Sequence, residues 1–128
     1  MLRKWLGRRQ KEDEIDTALQ FAACAAMYYE LADAGHAMGK DPLEIEMARE
    51  RGDGARQVAR RLLYRATRDW EAKAEIDEYI GKARTVWKSQ LTREGGASSD
   101  CLSDMSKCFQ LSELQDKLLA EMRANPLD

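Results

Sequence analysis

The sequence predicts a small all-α protein: an antiparallel bundle of about four helices, with a break in the second helix near residues 52–54 and a last helix split in two. Along most of the chain, apolar residues recur at intervals of three and four positions, the spacing of one face of a helix. Aromatic residues make up only 7% and proline occurs twice, a composition typical of helices rather than strands. The length of 128 residues suits one domain.

We divide the chain into a basic N-terminal arm, residues 1–11, and a single helical-bundle domain, residues 12–125. The arm contains five basic residues and no acidic one. The first helix is expected to begin near Asp13, whose side chain can cap it, and to end around Gly35. Within this helix, residues 21–29 are apolar on all sides, which predicts that they form its most buried part.

Residues 41–44, Asp-Pro-Leu-Glu, predict the start of the second helix. Aspartate caps the helix, and proline fits the first helical position because its missing N–H has no partner there anyway. Gly52 and Gly54 each cost about 1 kcal/mol relative to alanine inside a helix. We therefore expect a kink or a short break at residues 52–54.

The chain after residue 55 continues as apolar stripes with helical spacing. An unbroken helix over residues 55–92 would be about 57 Å long at about 1.5 Å per residue, too long for a domain of this size. We therefore expect a turn at residues 67–69 that separates the second and third helices, with Asp69 as the cap. Residues 98–100 open a short helix, and residues 112–115, Ser-Glu-Leu-Gln, are expected to form a capping box at the start of the last one.

No motif of an active site, a cofactor site or a metal site is apparent. His36 is the only histidine, so that zinc and di-iron sites are difficult to build. Residues 35–41 resemble a phosphate-binding loop but are one residue short, and Asp41 replaces the Mg²⁺-binding hydroxyl, so we interpret them as a helix end followed by a loop. Residues 51–53 spell the integrin-binding Arg-Gly-Asp tripeptide, which a simple turn explains. The sequence thus predicts no enzyme activity, no cofactor and no metal.

The arginine-rich second helix is the best candidate for binding a partner. Residues 48–68 contain seven arginines against two acidic residues. Guanidinium groups suit carboxylates and phosphates, so three interpretations are open: a solvated face neutralised in part by neighbouring acidic residues, a surface for an acidic protein, or a nucleic-acid site. The net charge of −2 disfavours the last. The candidate partner-binding residues are Arg49, Arg56, Arg60, Arg61, Arg65 and Arg68.

The sequence contains neither a secretory signal nor a membrane-spanning segment. A span needs about 20 apolar residues, and the longest apolar run, residues 21–29, follows a group of acidic residues that is unlike a signal peptide. As written, the chain is expected in the cytoplasm, or in the periplasm if a leader upstream of Met1 has been removed. The odd number of cysteines (Cys24, Cys101 and Cys108) is unlike a disulfide framework.

Two segments, CAAMYYELA around Cys24 and KCFQLSELQDKLLAEMR around Cys108, resemble a loose group of small helical bacterial proteins that are mostly exported and have no known function. Those proteins often carry a cysteine in the first helix and another shortly before a final leucine-rich helix. The resemblance implies a Cys24–Cys108 disulfide in an oxidising compartment, which would add about 4.5 kcal/mol of stability. Cys101 and the absence of a signal sequence depart from the group's pattern.

Three functions follow as hypotheses. The first is a non-enzymatic protein–protein interaction module whose arginine-rich second helix or exposed groove contacts an acidic partner of unknown identity. The second is a disulfide-stapled structural protein of the bacterial envelope. The third is a nucleic-acid-associated protein or an accessory protein of a phage or plasmid. Self-association is compatible with all three.

Overall fold

The computed structural model describes residues 2–125, with side chains from Gln10 onward. Its helices are α1 (Leu2–Ala37), α2 (Pro42–Thr67), α3 (Ala72–Leu91), α4 (Ser99–Gln110) and α5 (Ser112–Ala124). No strand occurs in these residues, and the all-α prediction is confirmed. The last helical region consists of two helices, α4 and α5, so that the described chain has five helices rather than about four. None of the helices in this range is long and apolar enough to cross a membrane.

Helix α1 forms the centre of the core. Phe21, Ala25 and Met27 have no solvent-exposed surface, as expected for the middle of this helix. The α1 helix packs most extensively against α2 and next against α3, whose Ile76 is also fully buried. Alanines on α1 let the neighbouring helices approach closely, because a small side chain keeps the two helix axes near each other.

Helix α1 begins at Leu2 rather than near Asp13, and the expected cap is wrong. The backbone carbonyl of Asp13 accepts a hydrogen bond from the Thr17 hydroxyl at 2.8 Å, within a continuing helix. The preceding segment is rich in arginine, lysine, glutamine and leucine, which are good helix formers. Residues 2–11, which we expected to form an arm, therefore continue α1. The side chains of residues 1–9, Trp5 among them, lie outside the described residues.

Both predicted ends of α2 are confirmed. The carboxylate of Asp41 accepts the backbone N–H of Leu43 at 2.9 Å, and Pro42 is the first helical residue. The turn predicted at residues 67–69 from the limit on helix length is also present, because α2 ends at Thr67 and α3 begins at Ala72. In that turn, the side chain of Asp69 accepts the backbone N–H of Glu71 at 2.9 Å. The prediction that Asp69 caps α3 is wrong, because Glu71 occupies the cap position and makes no side-chain capping hydrogen bond.

The predicted break at residues 52–54 is wrong, because α2 is continuous through them. A Cβ atom on Gly52 would lie 2.8 Å from Cε1 of Tyr29 on α1. One on Gly54 would lie 2.7 Å from Nε2 of Gln115 on α5. The two glycines thus let α1 and α5 approach the α2 backbone. These contacts offset the helix cost of about 1 kcal/mol for each glycine.

The capping box expected at residues 112–115 does not form. Ser112 is the first residue of α5, and Leu111 occupies the cap position, where no side-chain hydrogen bond forms. Gln115, which is 3% exposed, instead donates its side-chain amide to the backbone carbonyl of Arg51 at 3.0 Å. Arg51 also pairs with Asp116 at 2.6 Å, whereas Arg61 reaches the end of α5. The α5 helix therefore runs in the same direction as α2, a departure from a purely antiparallel bundle.

Candidate functional site

Two of the six predicted partner-binding arginines, Arg56 and Arg60, share one carboxylate within the protein. They lie one turn apart on α2 and both bind Asp77 of α3. Nε and Nη2 of Arg56 donate to the two carboxylate oxygens, each at 2.9 Å. Nε of Arg60 donates at 3.1 Å, and its Nη2 donates to the other oxygen. This cluster joins α2 to α3 and commits two of the six predicted partner-binding arginines to a contact within the protein.

The cluster makes stability depend on pH. Hydrogen bonds from Arg56, and then those from Arg60, lower the pKa of Asp77 from 3.8 to about 2. A carboxyl group with a lowered pKa stabilises the fold above its unfolded pKa, and that stability is lost as the pH falls from about 4 to about 2. Because the Asp77 side chain is 37% exposed, we expect a loss of only about 1 kcal/mol.

This pH dependence is tested with Asp77→Asn, which removes the titrating group. Between about pH 5 and about pH 2, we expect the wild-type protein to lose about 1 kcal/mol more of its unfolding free energy than the variant. The measurement is chemical denaturation at each pH. Parallel pH curves for the two proteins would contradict the assignment.

The other four predicted arginines are not gathered into one surface. Arg61 donates to the backbone carbonyl of Asn125 at the end of α5. Arg49 is exposed near the start of α2, whereas Arg65 and Arg68 are exposed at its end. The guanidinium of Arg68 lies 5.8 Å from the centre of the Tyr64 ring. The predicted basic face of α2 is therefore divided into separate parts.

A second ion-pair cluster was missed by sequence reasoning. Arg84 of α3 donates to Glu30 and Asp33 of α1, each at 2.7 Å. Its guanidinium also lies 5.5 Å from the ring centre of Tyr29, whose hydroxyl donates to Asp53 at 2.5 Å. Burial, with Asp53 as the next cause, raises the pKa of Tyr29 to about 12. These partners are far apart in the sequence, so no local pattern predicts them, and they tie α1 to α2 and α3.

A disulfide joins Cys24 of α1 to Cys108 of α4, with Cα atoms 5.4 Å apart. Both cysteines are buried, at 3% and 5% exposure. The bridge closes a sequence separation of 84 residues. Helix α4 packs against α1 much less extensively than α2 packs against α1. The disulfide is therefore a major link between α4 and the core.

A groove of about 1110 Å³ lies between α1, α3 and α4, and both cysteines of the disulfide are among its lining residues. Leu19, Ala83 and Trp87 contribute apolar surface to its lining. Tyr79 and Val86, which also line it, are 39% and 64% exposed. Large exposed apolar side chains beside a groove are typical of a surface that binds another molecule. This groove is the candidate functional site.

The free cysteine of the described residues, Cys101, also lines the groove. It is 6% exposed, and burial, together with Asp104, raises the pKa of its thiol. A thiol with a raised pKa is mostly protonated and is a weak nucleophile. Cys101 and Cys108 are also about 10 Å apart along α4, which keeps the thiol away from the disulfide. The geometry gives Cys101 a packing role.

The weaker sequence motifs have ordinary structures. The segment resembling a phosphate-binding loop is the end of α1 and a turn, in which Gly39 has a φ of 70°. Arg51, Gly52 and Asp53 lie inside α2 rather than in a loop. Over residues 2–125, no three His, Cys, Asp or Glu side chains are placed to hold a metal ion.

The groove lies between α1, α3 and α4, and the disulfide joins two of these helices, α1 and α4. The arginines of α2, by contrast, are partly committed to contacts within the protein. Comparison of the chain with protein-family models, with curated proteins and with solved structures finds no match.

Proposed function

We propose that the protein is a non-enzymatic helical binding module, stapled by the Cys24–Cys108 disulfide and acting in the oxidising envelope of a bacterium. The disulfide that links α1 to α4 is the observation that carries the proposal. Disulfides persist in oxidising compartments such as the periplasm and are rare in the cytosol. The resemblance of the segments around both cysteines to exported bacterial proteins agrees with this assignment.

The groove supports binding rather than catalysis. Its two lysines have acidic neighbours: Lys82 pairs with Glu78 at 3.2 Å, and Lys107 with Asp104 at 3.9 Å. Burial, together with Asp104, raises the pKa of the Cys101 thiol, which disfavours the nucleophilic thiolate. Apolar walls with a polar rim favour the docking of another chain.

An acidic partner on the arginine-rich helix has less support. Because Arg56 and Arg60 hold Asp77, reversing their charges would set carboxylates against a carboxylate and weaken the fold itself. Arg49, Arg65 and Arg68 are exposed but stand at different ends of α2. Nucleic-acid binding loses support for the same reason, since it needs a continuous basic surface.

The proposal is tested by alkylating natively purified protein under denaturing conditions without reductant. We expect one alkyl group per chain, at Cys101, and three after reduction. The protein has to be isolated from its own host, because the compartment sets the redox state. Cys101→Ala is the control and is expected to take up no alkyl group before reduction. Three groups on the wild-type protein before reduction would overturn the proposal.

A further inference from the structure

Helix α1 is longer than the bundle that packs on it. The contacts that set its register against α2 are Gly35 with Ile45 and Tyr29 with Gly52. These pairs make α1 and α2 antiparallel, so that α2 ends level with about residue 14 of α1. Residues 10–13 of α1 are all exposed. The helix axis of α1 therefore extends, at its beginning, past the last residue of α2.

The groove has the length and the charge to hold a short basic helix. Along α3 it extends over residues 79–90, a length of about 17 Å at about 1.5 Å per residue. Asp16 and Asp100 lie on its rim and form no ion pair with the residues from Gln10 to Asn125. The two lysines of the rim are already paired with acidic side chains. Within residues 10–125, the rim thus has two carboxylates without an ion-pair partner, beside apolar walls.

Residues 1–11 of this chain have the complementary chemistry. The segment, MLRKWLGRRQK, contains five basic residues and no acidic one. Leu2, Trp5 and Leu6 recur in it at helical spacing. As a helix, it is about 16 Å long, close to the length of the groove. Because α1 is one continuous helix from Leu2 through groove-lining residues such as Asp16, residues 2–11 cannot fold back into the groove of their own chain.

We infer that the groove binds the basic segment, residues 1–11, of a second copy of the chain. Two copies related by a twofold axis place their α1 helices antiparallel, and each inserts its segment into the groove of the other. Such a reciprocal exchange closes a dimer with two identical contacts. The apolar side chains of the segment cover Tyr79 and Val86, and its basic residues meet Asp16 and Asp100. The inference deepens the proposed function, because it names what the groove binds, but it does not depend on the cellular compartment.

The test measures the molar mass of the oxidised, full-length protein by analytical ultracentrifugation over a range of concentrations. We expect a dimer whose dissociation constant rises with salt, because salt screens the charge pairs. The groove variant Asp16→Lys/Asp100→Lys and the segment variant Arg8→Glu/Arg9→Glu are each expected to dimerise about a hundredfold more weakly, because like charges meet at both contacts. Circular dichroism checks that both variants keep their helices.

Mixing the two variants gives the decisive result. In the mixed dimer, the groove lysines of one variant face the segment glutamates of the other, while the unaltered groove and the unaltered segment face each other, so we expect a heterodimer close to wild-type affinity. Arg49→Glu/Arg65→Glu reverses two exposed charges outside the groove and is the control that keeps the wild-type dimer. A monomeric wild-type protein, or mixed variants that stay monomeric, would overturn the inference. Neither result changes the number of alkylated cysteines, so that the proposed function is tested separately.

Discussion

Breaking the Cys24–Cys108 disulfide is expected to lower the free energy of unfolding by about 4.5 kcal/mol. The bridge closes a sequence separation of 84 residues, and a cross-link stabilises a fold mainly by restricting the unfolded chain. Such a loss is a large fraction of the roughly 5–15 kcal/mol that holds a typical domain folded. The reduced protein is expected to unfold at much lower denaturant concentration.

Equilibrium denaturation of the wild-type protein with and without reductant gives this difference directly, because the two forms differ only in the disulfide, which the reductant converts to two thiols. The variant Cys24→Ala/Cys108→Ala is expected to be about as unstable as the reduced wild type. Cys101→Ala is the matched control, because it removes a buried cysteine without breaking a bridge, and we expect it to cost only about 1 kcal/mol. Denaturation curves that coincide with and without reductant would show that the bridge contributes nothing.

Gly52→Ala is expected to destabilise the protein by about 1–2 kcal/mol, although alanine is the better helix former. A Cβ atom at this position would lie 2.8 Å from Cε1 of Tyr29. The Tyr29 ring has little freedom to move, because its hydroxyl donates to Asp53 and Arg84 lies over the ring. The overpacking therefore exceeds the gain of about 1 kcal/mol in helix propensity.

Gly81→Ala is the matched control for this prediction. Gly81 lies inside α3, and apart from its chain neighbours and the backbone of its own helix, no atom is within 4 Å of the position where its Cβ would stand. The same substitution there has only the helix-propensity gain and is expected to stabilise the protein by about 1 kcal/mol. Thermal or chemical denaturation of the two variants shows whether each substitution raises or lowers the free energy of unfolding. Equal effects from the two substitutions would contradict the close approach of α1 and α2 at Gly52.

The local features of the fold could be predicted from the sequence. The Asp41-Pro42 cap needs only backbone and side-chain groups within a few residues, and the structure contains it. The turn before α3 follows from helix length alone, and Asp69 accepts a hydrogen bond within it. The buried centre of α1 follows from its apolar run. In each case the cause is contained in a short stretch of chain.

The features that were missed depend on residues far apart in the sequence. The local sequence around Gly52 and Gly54 predicts a helix break. In the structure the helix continues, because Tyr29 and Gln115 pack closely against these two glycines. The local sequence likewise predicts that Gln115 belongs to a capping box. In the structure its side-chain amide instead donates to the backbone carbonyl of Arg51 on α2. In both cases a tertiary contact outweighs a local preference.

The candidate site was predictable only in part. The arginine count of α2 is a local fact, but its neutralisation depends on Asp77, a residue of the next helix. The groove needs three helices to be placed together, so no single segment of the sequence indicates it. The pairing of Cys24 with Cys108, rather than with Cys101, followed from a resemblance and not from cysteine spacing.

The most direct test of a helical module stapled between α1 and α4 is to identify the cysteines that are bonded. After alkylation without reductant, the denatured protein is digested, and the peptides are analysed by mass spectrometry before and after reduction. We expect one cross-linked pair that contains Cys24 and Cys108, with the alkyl label on Cys101. A label on Cys24 or Cys108, or Cys101 within a cross-linked pair, would contradict the structure on which the proposed function depends.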